Sequence, residues 1–93
     1  MDEEKPTIKM ILDSALYVVK QYLSKTPDTI ISVTESDEKW VIEVEVVERK
    51  TVPDTQDILG RYEINLDKRG ELLGWRQIMV RRRSDHIGNV EKE

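Results

Sequence analysis

Residues 40–49 read WVIEVEVVER, and this stretch decides the fold. Successive side chains of a β-strand point to opposite faces of the sheet. The residues on one face would be Trp40, Ile42, Val44 and Val46. The other face receives Glu43 and Glu45, and glutamate favours a strand only where its face is solvated. The stretch therefore predicts a strand with one core face and one charged, solvent-exposed face.

Further elements flank this strand on both sides. Residues 7–24 carry apolar side chains at three- and four-residue steps, which is the pattern of an amphipathic helix. Residues 29–35, 61–66 and 71–82 read as strands, and Gly70 supplies the positive φ of the last hairpin turn. Two sets compete for the inward face of the fourth strand: Leu73, Trp75 and Met79, or Leu72, Ile78 and Val80. Short connections favour an antiparallel meander, so we predict an α+β fold with the N-terminal helix packed on a four-stranded antiparallel sheet.

The segment between the second and third strands contains turn-forming residues. Pro53 fixes one backbone angle, and Asp54 or Thr55 is suited to cap a short helical turn that Gly60 then stops. Asp57 belongs to the same turn, and we expect capping of that turn to be its role as well. The segment is therefore predicted to be a capped turn.

Composition narrows the class of protein. The length of 93 residues favours one domain, with a globular part at residues 7–82 between polar tails at residues 1–6 and 83–93. Cysteine is absent, which removes disulfides and thiolate zinc sites and fits a reducing compartment. Apolar runs fall far short of the ~20 residues that span a bilayer, and the acidic start is unlike a secretory signal. We predict a cytoplasmic protein with no membrane partner.

Several carboxylates invite a chemical interpretation. Glu43 and Glu45 would share a solvated face, which does not separate two pKa values as acid–base catalysis requires. We interpret them as exposed charges paired across the sheet, with Arg76 as a partner. Replacing both by glutamine would then change the free energy of unfolding by no more than about 0.5 kcal/mol. Asp54 and Asp57 lack the ligand spacing of a cation-binding loop, so we predict no metal or cofactor.

The remaining candidates are one histidine, a basic run and two tryptophans. His86 lies in the predicted tail without a second zinc ligand or a nucleophile motif. The basic run consists of Arg81, Arg82 and Arg83. The net charge of −4 argues against nucleic acid as its partner and leaves an acidic protein as the alternative. Trp40 and Trp75 are predicted to lie in the core, and one that is exposed on the uncovered sheet face would be the candidate anchor for a partner protein.

Three motifs follow one another between residues 40 and 82. They are Val-Glu-Val-Val-Glu, then Pro-Asp-Thr-x-Asp-x-Leu-Gly-x-Tyr-Glu, then Leu-Asp-x-x-Gly-Glu-Leu-x-x-Trp-Arg. In order and spacing they resemble the core of the gas vesicle protein O family. The motif residues with an expected structural role are Pro53, Asp54, Thr55, Asp57, Leu59, Gly60, Tyr62, Gly70 and Trp75. The chain departs from the family at residues 77–83, where members often carry an aromatic-and-arginine run, and in its short charged N-terminus.

The resemblance implies an accessory role in forming gas vesicles, the protein-shelled flotation bodies of some microorganisms, and no enzymatic activity. It also implies binding to other gas vesicle proteins, notably the AAA-type ATPase called gas vesicle protein N, and action around the shell protein. The candidate contact residues are Glu43, Glu45, Arg76, Arg81 and Arg82. The alternatives are a helix-on-sheet module of another pathway, a pocket-containing enzyme, and a weak nucleic-acid binder through Arg81–Arg83. The oligomeric state and association with the finished vesicle stay open.

Overall fold

A computed structural model describes residues 6–84 as one helical segment followed by four strands. The helical segment consists of α1 (Ile8–Val18) and a π-helical continuation (Val19–Leu23). The strands are β1 (Thr26–Glu35), β2 (Lys39–Arg49), β3 (Ile58–Asp67) and β4 (Leu72–Arg82), and a 3₁₀ turn (Asp54–Gln56) lies between β2 and β3. The strands form one antiparallel sheet in the order β1-β2-β3-β4. The predicted α+β fold is confirmed.

The helical segment begins and ends at defined caps. Thr7 precedes α1, and its hydroxyl oxygen accepts a hydrogen bond of 3.1 Å from the backbone N–H of Met10. Ser24 closes the segment in the left-handed conformation with φ of 56°. The N–H of Lys25 donates to the carbonyl of Val19 at 3.1 Å. The chain therefore leaves the helix at Leu23 and enters β1 after only two residues.

The core lies between the helical segment and one face of the two central strands. Its buried helical residues are Ile11, Ala15, Val18 and Val19, and its buried strand residues are Trp40, Ile42, Val44, Val46, Tyr62, Ile64 and Leu66. The predicted inward face of β2 is therefore confirmed. Ile8 and Tyr22 share the apolar periodicity of the helix but are exposed, so the buried stripe is narrower than the pattern suggested.

Two strands start three residues before their predicted positions. β1 starts at Thr26, three residues before the expected position, and includes Pro27. Proline is tolerated because β1 is an edge strand with register shifts beside this position. β3 starts at Ile58, before the expected Arg61, so Gly60 is a strand residue paired with β2 and the prediction that it stops a turn is wrong.

β4 lies at the edge of the helix cover. α1 contacts mainly β2 and β3, while the π-helical continuation contacts β1. Two register shifts also interrupt the pairing of β4 with β3. As a result neither predicted set of β4 residues forms a buried face, and Leu72 is the one apolar side chain of β4 that packs against the core.

Within residues 6–84, no helix is long and apolar enough to cross a membrane. The predicted N-terminal tail, apart from its last residue, lies outside the described residues. So do His86 and the predicted C-terminal tail from residue 85 onward.

Candidate functional site

Glu45 lies on the sheet face opposite the helix and is only 1% exposed. Arg81 holds its carboxylate through two N–H groups, Nε to Oε2 and Nη2 to Oε1, both at 2.8 Å. Nη2 of Arg61 donates to Oε2 at 3.1 Å. The Arg81 hydrogen bonds, reinforced by Arg61, hold the pKa of the Glu45 carboxyl below its ordinary value although burial opposes this shift. The expectation of a solvated Glu45 is therefore wrong.

The neighbouring charges on this face are more weakly coupled. Glu43 is partly exposed, and its ion pair with Arg61 spans 3.9 Å. Arg76 pairs with Glu63, its direct partner in the β3–β4 register, rather than with Glu43 or Glu45 as predicted. Ion pairs across β2, β3 and β4 thus occupy the face that the helix leaves uncovered.

Asp57 is the second buried carboxylate among residues 6–84. It accepts hydrogen bonds from the backbone N–H of Thr51 at 2.8 Å, from Nζ of Lys50 at 3.2 Å and from Nη2 of Arg83 at 3.2 Å. These three donors, the Thr51 N–H foremost, lower the pKa of the Asp57 carboxyl. Asp57 therefore fastens the loop after β2 to the chain that follows β4.

The loop itself contradicts the predicted capping roles. Pro53 precedes the 3₁₀ turn, and no side chain caps the turn. Asp54 instead lies 3.7 Å from Lys50, and the carbonyl of Thr55 accepts a hydrogen bond of 3.0 Å from the N–H of Ser84. The Pro-Asp-Thr-x-Asp motif therefore serves to dock a loop on the end of β4. No group of three or more potential metal ligands gathers within residues 6–84.

Gly60 allows the close approach of a third carboxylate, that of Glu48. The hydroxyl of Tyr62 and the amide of Gln77 each donate to Oε2 of Glu48 at 2.9 Å. Nζ of Lys25 lies 2.8 Å from its Oε1. A Cβ added to Gly60 would lie 2.1 Å from Oε2 of Glu48. The Leu-Gly-x-Tyr motif thus combines the glycine that makes room for Glu48 with the tyrosine that binds it.

Adding one methyl group at Gly60 should disturb this cluster. We expect Gly60→Ala to lower the free energy of unfolding by about 1–3 kcal/mol, the usual cost of overpacking a filled site. Urea unfolding followed by tryptophan fluorescence measures the change. Gly74→Ala is the matched control, because a Cβ there meets nothing within 4 Å. Equal effects of the two substitutions would show that Glu48 moves away without cost.

The two tryptophans have different environments. Trp40 is 7% exposed in the core, with Nζ of Lys68 at 5.3 Å from its ring centroid. Trp75 is 40% exposed, and its ring centroid lies 6.1 Å from that of Tyr22. The predicted core position is therefore confirmed for Trp40 and wrong for Trp75. Trp75 is exposed on the helix side of the sheet, as its register partner Ile64 and its contact with Tyr22 show, and not on the uncovered face where an anchor was expected.

Much of the basic run is engaged inside the chain. Arg81 binds Glu45, and Arg83 binds both Asp28 and Asp57. Arg76 and Arg82 are exposed on β4, and their contact with a partner stays a prediction. The structure therefore brings Glu45 and Arg81 together as a buried pair, while the other candidate contact residues lie nearer the surface.

Comparison with known proteins identifies the family. The family described as "Gas vesicle synthesis protein GvpO" matches residues 1–86. Gas vesicle protein O1 of Halobacterium salinarum is 52% identical over 56 residues, which are 60% of this chain and 47% of the relative. Gas vesicle protein O of a Streptomyces species is 33% identical over 76 residues, 82% of this chain and 59% of the relative.

A third relative, gas vesicle protein O of Haloferax mediterranei, is 54% identical over 46 residues, 50% of this chain and 33% of its own length. The chain thus spans between 33% and 59% of the length of these curated relatives. No solved structure matches the chain. Since the family match extends over residues 1–86, the chain belongs to the gas vesicle synthesis protein GvpO family.

Proposed function

We propose that this chain acts in gas vesicle formation as an accessory assembly protein, which binds other proteins and catalyses no reaction. Family membership supports the pathway. The partners we propose are other gas vesicle proteins, with gas vesicle protein N and the shell protein as the first candidates. The proposed location is the cytoplasm, at or near the growing vesicle.

The observation that carries the binding role is the exposed edge of β4. Within residues 6–84, β4 pairs only with β3, so its other edge is open to a further strand. The exposed apolar side chains along it are Leu73, Trp75, Met79 and Val80. Edge strands usually carry charge that prevents such pairing. Here Arg76 and Arg82 interrupt the apolar residues, which favours an extended partner segment that combines apolar and acidic side chains.

The uncovered sheet face is a poorer candidate for the same role. Its centre holds the buried pair of Glu45 with Arg81 and Arg61, whose hydrogen bonds are already made within the chain. A partner laid on this face would have to desolvate further charges without offering them better ligands. We therefore place the proposed contact at the β4 edge rather than on the open face.

Complementation with edge variants tests this function. We expect the wild-type chain to restore vesicles in a gas-vesicle-forming host that lacks its own protein O gene. The Leu73→Lys/Val80→Lys variant should lower vesicle yield at least about tenfold, since losing an interface hot spot costs 2 kcal/mol or more. Buoyancy and electron microscopy score the yield. Both replaced side chains are well exposed, at 59% and 54%, so folding should be little affected.

Met10→Lys is the matched control, because Met10 is 55% exposed and belongs to α1 rather than to β4. It should leave vesicle formation intact. A wild-type chain that is folded and abundant yet restores no vesicles contradicts the proposed function. Full activity of the β4 double variant contradicts the edge as the contact surface while leaving the function in place.

A further inference from the structure

A cleft of about 340 Å³ separates the helical segment from the start of β4. We call it the helix–hairpin cleft and define it by Asp13, Tyr17 and Tyr22 on one side and Glu71 and Leu72 on the other. Its volume falls within the range of about 300–1,000 Å³ that is usual for binding pockets. The β4 edge proposed above does not account for this cleft.

Aromatic side chains form one wall of the cleft and continue beyond it. The ring centroids of Tyr17 and Tyr22 lie 6.1 Å apart in an edge-to-face arrangement, and Tyr22 lies at the same distance from Trp75. All three side chains are exposed, although the chain has only three tyrosines, two tryptophans and no phenylalanine. Most of its aromatic residues therefore form one continuous row on the surface. Tyrosine and tryptophan are among the residue types that dominate interface hot spots.

Carboxylates stand on both sides of the cleft. Glu71 is exposed, and its side chain forms no ion pair within residues 6–84. Asp13 pairs with Lys9 at 3.0 Å, but both side chains are largely exposed, and solvent screens such a pair. The cleft thus offers aromatic faces together with negative charge, which is the combination that binds a cationic side chain.

We propose that the helix–hairpin cleft binds a basic segment of a partner protein. An arginine or lysine side chain enters the cleft, places its cation against the tyrosine rings and pairs with Asp13 and Glu71. Apolar residues beside that cation pack on Leu72 and Trp75. That the partner belongs to gas vesicle assembly rests on the proposed function. The chemistry of the contact rests on the cleft alone.

Charge complementarity distinguishes this occupant from others. An acidic segment would meet two carboxylates, and a purely apolar one would bury Glu71 without a counter-ion. A second copy of this chain also carries a net charge of −4, so self-association is opposed by repulsion at long range. A basic, partly apolar segment satisfies both the rings and the carboxylates.

Direct binding of defined peptides is the first test. The probe is a short peptide of Leu-Arg-Ala repeats, and its control is the matched peptide of Leu-Glu-Ala repeats. Nuclear magnetic resonance titration should show saturable shifts at residues 13–22 and 70–72 for the basic probe. We expect it to bind at least about tenfold more tightly than the acidic control, consistent with the cost of like-charge contacts.

A charge-reversed variant localises the binding. Glu71→Lys should weaken binding of the basic probe at least about tenfold, because it replaces an attraction by a repulsion. Glu38→Lys is the matched control, since it makes the same charge change at an exposed turn outside the cleft and should leave binding unchanged. Equal losses in the two variants, equal binding of both peptides, or shifts confined to other residues would each overturn the proposal. Absence of binding by the basic probe would overturn it as well.

Complementation separates this inference from the proposed function. In a host where the wild-type chain restores vesicles, Tyr17→Ser with Glu71→Lys should abolish that rescue, while Glu38→Lys preserves it. Rescue by the cleft variant would overturn the cleft inference and leave the assembly function standing. Failure of the wild-type chain would contradict the function, and the peptide titration would still decide the chemistry of the cleft.

Discussion

Replacing Glu45 by glutamine should lower the free energy of unfolding by about 3 kcal/mol, because it removes the charged partner of two arginines within the folded chain. The amide would accept hydrogen bonds more weakly and would leave Arg61 and Arg81 as adjacent like charges. Both arginine side chains keep some contact with solvent, 16% and 20% of their surface, which places the expected loss at the low end of the range for buried pairs.

Glu43→Gln is the control that isolates burial. It makes the same chemical change two residues away on the same face of β2, but Glu43 is partly exposed and its arginine contact is 3.9 Å long. We expect it to cost no more than about 0.5 kcal/mol. Urea unfolding at neutral pH measures both values. Similar small losses would show that the Glu45 pair contributes little to stability.

The difference between wild type and Glu45→Gln should also depend on pH. The pKa of Glu45 is lowered in the folded chain, so the unfolded state binds the proton more readily. The stabilisation that the ionised Glu45 carboxylate provides is therefore complete above the unfolded pKa of about 4.3. It is lost as pH falls through the folded pKa. The gap between the two proteins should thus be constant from pH 6 to 8 and should shrink in acid. A gap that widens in acid would contradict this assignment.

The elements of the fold could be predicted because their signals are local. The spacing of apolar residues in the helix and the alternation along residues 40–46 each report one element and one buried face. The inward face of β2 follows from that alternation alone. The exposure of Tyr22 does not, because it depends on how much of the helix the sheet covers.

The two buried carboxylates could not be predicted from local patterns. Glu45 alternates as an exposed strand residue does, yet long arginine side chains from β3 and β4 cover it. Asp57 reads as a turn residue, yet one of its donors is Arg83, which lies 26 positions later. Both roles depend on strand register, and the register shifts in β4 cannot be read from spacing. The single signal in the sequence was the basic run that closes β4.

The family motifs acquire physical reasons from the same contacts. Asp57 fastens a loop, Gly60 makes room for Glu48, and Tyr62 binds that carboxylate. These residues stabilise the end of the sheet at which β4 terminates. The first two motifs therefore account for architecture, whereas the third also reaches the surfaces on which we place function. It supplies Glu71 and Leu72 to the helix–hairpin cleft and Trp75 and Arg76 to the β4 edge.

The two tryptophans allow a core position to be compared with a surface position in the same chain. Trp40→Ala should lower the free energy of unfolding by about 3–5 kcal/mol, because it empties a core position that β2 presents to the helix. Trp75→Ala should cost about 0.5–1.5 kcal/mol, the value of one aromatic contact, which here is with Tyr22. Circular dichroism during urea unfolding measures both without relying on the fluorophore that is removed.

The two alanine variants should rank in the opposite order when vesicle formation is measured. If Trp75 contributes to a contact at the β4 edge or beside the helix–hairpin cleft, its alanine variant stays folded and loses vesicle formation. Trp40→Ala should lose function only in proportion to the fraction of unfolded chain, so that lowering the temperature restores part of it. A Trp75→Ala variant with full activity would remove this ring from both proposed surfaces. A stable Trp40→Ala variant would contradict the core described here, in which the Trp40 side chain is buried.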